Sequence, residues 1–409
     1  MDGKMTTFPW DSWIPGALSR RQVKELIKSG FITADGVNLE SSVDNSSIDL
    51  SLADKGFEMI QGSVKPSRAQ PYEWFIQENG LAKPLKKSPD DGTYKLDRRH
   101  TYVFKLQERL RKSLIQAPIC GQATAKSSVG RVDVLARLIV DGMGTYECFD
   151  ESCLEDNYGD MYLEITPTTF NVKVKPGISL SQLRLFYGQV ENSVMTGREL
   201  FKTTLKDGPG AEDGSLSVDV TDTLIGGLPV GALCAKPPTD PNDAIPLWTE
   251  KEEAKKPDPC KYWQFVRADK KNRLVIKEEH FYLIRSKERI WVPPGIAIYC
   301  RASDETIGEM RIHYAGFVHP FFGGQRKDGS KGTPLMFEVR GHQVNVSLAD
   351  QEKMATLTFY RMSEDCTLED RPVDKPEESY QNQTLDLSKF FRKWPTKLKG
   401  KDNGDVEAT

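Results

Sequence analysis

The chain repeats itself, and this limits its folds more than any other feature. The run YLEITPTTFNVKVKPGISLSQLRLF, ending at Phe186, lies 174 residues before MFEVRGHQVNVSLADQEKMATLTFY, ending at Tyr360. At that spacing Glu164 falls on Glu338, Asn171 on Asn345, Val172 on Val346 and Leu183 on Leu357. Two further blocks agree at slightly different spacings, as loop insertions would produce. SSIDLSLAD (Ser46–Asp54) resembles LSVDVTDT (Leu216–Thr223), pairing Asp49 with Asp219. YVFKLQERL (Tyr102–Leu110) resembles FYLIRSKERI (Phe281–Ile290), pairing Glu108 with Glu288.

Each repeat also opens alike. Ser19 and Gln22 have the spacing of a helix capping box, with Val23, Leu26 and Ile27 on one face and Gly30 as a stop. Thr196 and Glu199 have the same spacing, followed by Leu200, Phe201 and Leu205, with Gly208 as the stop. Short runs rich in Val, Ile, Tyr and Phe follow each helix and predict strands. The expected fold is mainly β: two tandem β-barrel or jelly-roll-like domains, each preceded by a short helix. The first repeat covers 1–188 and the second 194–365. Residues 366–409, polar and charged, predict a flexible C-terminal arm with one aromatic anchor, Lys389 to Trp394. The Pro- and charge-rich segments 206–215 and 235–259 predict loops.

Composition narrows the function. A net charge of −3 provides no global basic field, so a nucleic-acid partner is not expected. A phosphate ligand would have to be held by a local cluster. The seven cysteines have no regular spacing and no CxxC pair, which fits free thiols in a reducing compartment. The N-terminus lacks a secretory pattern and no run approaches a membrane span, so a cytoplasmic protein is expected.

Three segments carry chemistry. The first is Ala125 to Arg131, where a strand-like run ends in Lys126, Ser127, Ser128, Gly130 and Arg131. Two cations, two hydroxyls and turn N–H groups suit a polyphosphate, although on composition alone a solvated turn fits equally well. The second is Ile312 to Gly324, HYAGFVHPFFGG with its leading Ile. Its aromatic residues, with Ala315 and the turn at His319, could wall a flat ring. The third is the duplicated carboxylate, Glu164 and Glu338, each among apolar residues of a predicted strand. A single such Glu is more often solvent-facing. One that recurs in both halves is a candidate for a partly buried acid–base group.

LSRRQVKELIKSGFI, SSIDLSL, AKSSVGR, HYAGFVHPFFG and the LE/FE strand follow the order of the dCTP deaminase motifs. The chain resembles that family, within the dUTPase-like superfamily, over nearly its whole length, and is similar to its long tandem-repeat bacterial members. The resemblance implies hydrolytic deamination of dCTP to dUTP and ammonia, supplying dUTP for thymidylate synthesis. It implies a glutamate as general acid and base, without zinc. The HxE…PCxxC signature of zinc deaminases is indeed missing from the sequence. Mg²⁺ would travel with the triphosphate. It also implies a homo-oligomer with sites between repeats or subunits, one side giving Ser-Ser/Arg and the other the glutamate and base wall. The tail Tyr380 to Ser388 is similar to the family's segment that closes over the nucleotide, so the arm is a candidate lid with Gln383 near the base.

The halves have diverged. Opposite the phosphate segment, the second repeat carries Asp304, Glu305 and Glu309 in a stretch from Arg301; placing Gly130 on Gly308 puts Arg131 on Glu309. Where the family usually carries Asp-Pro-Gly, this chain has His319-Pro320-Phe321. The expected division gives phosphate binding to the first repeat and Ala315, His319 and Glu338 to the second. The reverse, with Glu164 catalytic around a threefold axis, stays open. Two other readings are a dUTP pyrophosphatase or bifunctional enzyme, with Asp49 or Asp133 serving a Mg²⁺-linked water, and a nucleotide-binding regulator without activity.

Overall fold

In the computed structural model, the described residues are 8–67, 70–111, 118–150, 159–303, 310–313, 316–324, 331–367, 384–401 and 403–408. Ala315 and Gln383, and the acidic positions Asp304, Glu305 and Glu309, lie outside them.

Six strands of the first half recur in the second. They are β1 (Ile48–Met59), β2 (Tyr102–Leu110), β3 (Ile119–Ala125), β4 (Val134–Val140), β5 (Asp160–Pro167) and β6 (Ser179–Tyr187). Their counterparts are β7 (Ser215–Asp219), β8 (Phe281–Ile290), β9 (Ile296–Ala302), β10 (Met310–His313), β11 (Thr333–Gly341) and β12 (Lys353–Arg361). The first sheet runs β4-β5-β2-β1-β6-β3 and the second β10-β11-β8-β7-β12-β9, antiparallel throughout. In β2 and β8 buried residues alternate with partly exposed ones, as a sheet with one face on a core requires.

Matched hydrogen bonds fix the equivalence. Asn171 Oδ1 accepts from the Arg98 N–H (2.9 Å), and Asn345 Oδ1 from that of Glu278 (3.0 Å). The Tyr102 hydroxyl accepts from the Asp97 N–H (2.9 Å), and that of Tyr282 from Lys277 (3.1 Å). The buried Glu108 and Glu288 carboxylates accept from the N–H groups of Ser51 (2.8 Å) and Ser217 (2.7 Å). Ser51 therefore matches Ser217. The pairing of Asp49 with Asp219 is wrong by four residues, and Asp49 matches Ser215. Short blocks that read D-x-S and D-x-T carry too little information to fix a register.

The opening helices differ. α1 (Arg20–Lys28) has the reciprocal capping box of Ser19 and Gln22, and Gly30 follows with φ 75°. α2 (Tyr72–Glu78) is inserted between β1 and β2, and α3 (Ser127–Gly130) is a single turn after β3. α4 (Arg198–Thr204) lacks the expected box: its cap is Gly197, with φ 138° and no side-chain bond. It ends at Thr204 because Leu205 turns extended and pairs with β8, so Gly208 is not its stop.

The halves share a core. Phe170 of the first half packs on Tyr262 and Trp263, and Trp263 on Phe281 and Phe391. Each such buried ring contributes about 2–3 kcal/mol. Phe390 and Phe391 are buried, and Leu398–Gly400 pairs with Val406–Ala408 as a hairpin, so this end of the arm is not the loose segment its composition suggests. Leu398 packs over Gly226, and the Phe265 N–H donates to the Gly404 carbonyl (2.8 Å). Ile245 pairs alongside Val172, so the loop between β7 and β8 of the second half adds a strand to the first. No helix of the described residues is long and apolar enough to cross a membrane.

Candidate active site

The duplicated glutamates sit on matching strands in opposite surroundings. Glu164 on β5 faces Arg137 on β4 and is almost fully buried. Its Oε1 accepts from Arg137 Nη2 (2.5 Å) and Nε (3.1 Å) and from Ser63 Oγ (3.2 Å); its Oε2 accepts from the Tyr146 hydroxyl (3.1 Å). The Arg137 guanidinium lies over the Tyr146 ring at 4.1 Å. All these partners come from the first half.

Glu338 on β11 faces His313 on β10 and Leu283 on β8. It is also buried, yet no described side chain is ion-paired with it. Burial pushes its carboxyl up to about 8; the Arg131 charge opposes this and that of Asp133 adds to it. Cys300 on β9 is close enough that burial and then Glu338 raise its thiol.

The phosphate segment of the first half meets this carboxylate. At Gly130 an added Cβ would lie 2.3 Å from Glu338 Oε2 and 2.8 Å from Oε1. Glycine is required there by close approach. Gly130→Ala is expected to lower kcat/KM for any Glu338-dependent reaction by about 100-fold, the usual scale for a misplaced catalytic group. Steady-state rates beside a thermal melt would show whether the loss is local.

The sequence-predicted residues are partly brought together. α3 places Ser127, Ser128, Gly130 and Arg131 at the junction of the halves. Lys126 caps it, but its ammonium is paired with the Asp49 carboxylate. Arg131 Nη1 donates to the carbonyls of Asp386 (3.2 Å) and Leu387 (3.5 Å), and Ser388 Oγ donates to the Ser128 carbonyl (2.7 Å). The C-terminal segment thus lies across the phosphate segment. The Lys126 N–H donates to Leu180 O and that of Ser303 to Met354 O, so Ser303 occupies the lysine's place in the second half. This register differs by one residue from one that sets Gly308 on Gly130.

His319 sits in a network that motif reading misses. Its Nδ1 is 3.0 Å from Ser46 Oγ and its Nε2 3.3 Å from Gln182 Oε1, so both partners belong to the first half. Arg184 of β6, fully buried, donates to Ile298 O (2.9 Å), Ser46 Oγ (3.3 Å) and Val318 O (3.4 Å), with its guanidinium 4.1 Å over the Phe317 ring. Burial lowers it to about 9. The signal was available: Arg184 is a charge inside the apolar run Leu183 to Phe186. Phe321, where the family usually has glycine, adopts φ 69° and closes a turn in which the Phe322 N–H donates to His319 O (3.2 Å). A left-handed Phe costs roughly 1–2 kcal/mol.

Asp49 and Asp133, the candidates for a Mg²⁺-linked water, are both committed. Asp49 holds Lys126, and Asp133 holds Arg340 of β11. Thr169 Oγ1 bonds both members of the second pair.

Residues 14–189 match the family described as 2'-deoxycytidine 5'-triphosphate deaminase (DCD) N-terminal domain. Residues 248–391 match the C-terminal domain of the same family. The chain belongs to the dCTP deaminase family. Between them the two domains take in α3, Glu164, Glu338 and the tail as far as Phe391. The fold is also that of the crystal structure of 2'-deoxycytidine 5'-triphosphate deaminase from Agrobacterium tumefaciens. That structure has a TM-score of 0.74 and 24% identity, over 86% of this chain and 97% of that one. No curated protein is significantly similar in sequence.

Proposed function

We propose that the chain deaminates dCTP to dUTP and ammonia at one site per chain, formed between its own two halves. The observation that carries this is the contact of Gly130 with the Glu338 carboxylate. The half with Ser127, Ser128 and Arg131 meets the half whose buried acid has no ion-pair partner among the described residues, an arrangement that the family resemblance implies. Ser127, Ser128 and Arg131 would hold the triphosphate, with Arg131 exchanging its tail carbonyls for phosphate oxygens. Residues 384–388 would then act as a lid, with Gln383 near the base. Ala315 and His319 would face the cytosine and sugar, His319 taking the place of the family's Asp. Because Asp49 and Asp133 are ion-paired, Mg²⁺ would come with the triphosphate.

The chemistry needs one proton carrier. Glu338 takes a proton from water as the water oxygen bonds to C4 of cytosine. Glu338 delivers that proton to N3, then takes the remaining proton of the C4 hydroxyl and passes it to the amino group, so that the C4 carbonyl forms as the C4–N bond breaks and ammonia leaves. No zinc enters this route. As the base, Glu338 must be ionised. Since its carboxyl is raised to about 8, kcat/KM should rise with pH through that value and then level off. A profile flat from pH 6 to 9 would exclude Glu338 as the base. In the cell such an activity would feed dUTP to thymidylate synthesis.

The deciding measurement is ammonia release from dCTP with Mg²⁺, with CTP and dUTP alongside. Ammonia from dCTP alone supports the proposal and sugar selection at the His319 turn. Pyrophosphate from dUTP would move the reading to a pyrophosphatase. Tight dCTP binding without ammonia would move it to a regulator.

A further inference from the structure

Beneath Glu338 lies a second charged pair that the deamination chemistry does not use. Arg340 is two residues along β11, so its side chain leaves the same face of the sheet as that of Glu338. It reaches the first half, where its guanidinium pairs with the fully buried Asp133 carboxylate and with Thr169 Oγ1, while Nη1 donates to Glu279 O (2.8 Å). Asp133 follows Arg131 by two residues and has φ 56°, and its N–H donates to the Gly130 carbonyl of α3 (2.8 Å). Among the described side chains, the ionisable groups near Glu338 are Arg131 and Asp133 beyond α3, Arg340 on its own strand and Cys300 on β9.

We propose that Asp133 and Arg340 are positioning residues: their pair locks the two halves in register under Glu338 and sets the proton affinity of that group. The inference rests on the reading of Glu338 as the acid–base group. The arrangement is asymmetric. Burial raises the Glu338 carboxyl and Asp133 adds to it, whereas Arg340 is turned away into Asp133, Thr169 and Glu279. In the first half the position matching Arg340 is Thr166, which bonds Thr101 Oγ1 (3.0 Å) instead, and Glu164 is neutralised directly by Arg137. Among the described residues, the charged pair thus accompanies the glutamate that has no arginine paired with it.

The two members should be separable by sign. Asp133→Asn keeps shape and tolerates the left-handed backbone, because Asn is among the residues that adopt it most readily. It removes the negative charge, so the acid limb of kcat/KM for ammonia release should fall by about one pH unit. Arg340→Gln leaves the Asp133 charge uncompensated, so the limb should rise by a similar amount, and the double variant should return it towards the parent value. A purely structural pair would lower activity in both variants and move neither limb; limbs that stay put, or shift in the same direction, overturn the proposal. If the parent chain releases no ammonia at all, the proposed function fails instead. The pH dependence of the melting temperature then still reads Glu338: the two substitutions should shift it in opposite directions, and neither should do so in a Glu338→Gln background.

Discussion

Glu338→Gln is expected to abolish ammonia release and, at alkaline pH, to make the protein more stable. The first effect follows from removing the proposed carrier of the transferred protons, for which a loss of about 10²–10⁴ is usual. The second follows from linkage. A carboxyl raised from 4.5 to about 8 binds its proton more tightly in the folded chain than in the unfolded one. Folding is favoured by that proton below pH 4.5, and the contribution is lost progressively as pH rises through 8. Above that, holding the buried carboxylate costs on the order of 4–5 kcal/mol. The amide has no charge to hold, so its advantage should grow between pH 5 and 9 and vanish towards pH 4.5. Melting temperatures of both proteins across this range, with ammonia assays at each pH, test the two halves of the prediction. A variant that still turns over dCTP, or one without a pH-dependent stability gain, would remove Glu338 from the role proposed.

The fold was legible because duplication shows each element twice. Glu108 and Glu288 recur at matching places in the two halves, and both prove to be buried acceptors for a backbone N–H of the neighbouring strand. Asn171 and Asn345 recur for the same kind of reason. Where a block is short and its residue types are interchangeable, the reading slips, as it did for Asp49 and Asp219. The helix caps show a second limit. Thr196 to Glu199 has the spacing of a capping box, but Gly197 takes the cap because the chain enters at φ 138°, a backbone state set by the preceding pairing of Val194 and Met195 with β12.

The site was legible in its motifs but not in its supports. Ser127, Ser128, Gly130, Arg131 and Glu338 are named by order and residue type, and the structure brings Gly130 and Glu338 into contact. The ion pair of Lys126 with Asp49 was not legible, because Asp49 lies on a different strand and pairing across a sheet leaves no local trace. Arg184, Gln182 and Ser46 around His319, and Asp133 with Arg340, connect the halves over more than a hundred residues of sequence. Nothing in either segment alone specifies the other. What the sequence did offer was a charge in an apolar strand at Arg184, a signal of a buried partner rather than of its identity.

Glu164→Gln should do the reverse of Glu338→Gln: cost stability and spare activity. The Glu164 carboxylate is held by the Arg137 fork, Ser63 and Tyr146 in a nearly closed pocket. The amide cannot accept from all three at once, and it removes the Glu164 charge from beside Arg137. Removing one partner of a buried pair typically costs 3–5 kcal/mol. Because the Arg137 side chain is 35% exposed, solvent takes up part of the charge, and a loss of about 1–3 kcal/mol is expected. A change of that size lowers the melting temperature by a few degrees in a chain of this length. Turnover should remain within a few-fold of the parent, since the carboxylate meets only first-half side chains and is already neutralised by a cation it would have to release before moving a proton. Replacing both residues, Glu164→Gln with Arg137→Met, should recover much of the lost stability, because the uncompensated charge goes with the arginine. If Glu164→Gln instead stopped ammonia release with the melting temperature unchanged, the catalytic acid would be the one in the first half. Copies of that half would then have to meet around an axis to bring their own Ser128 and Arg131 to it.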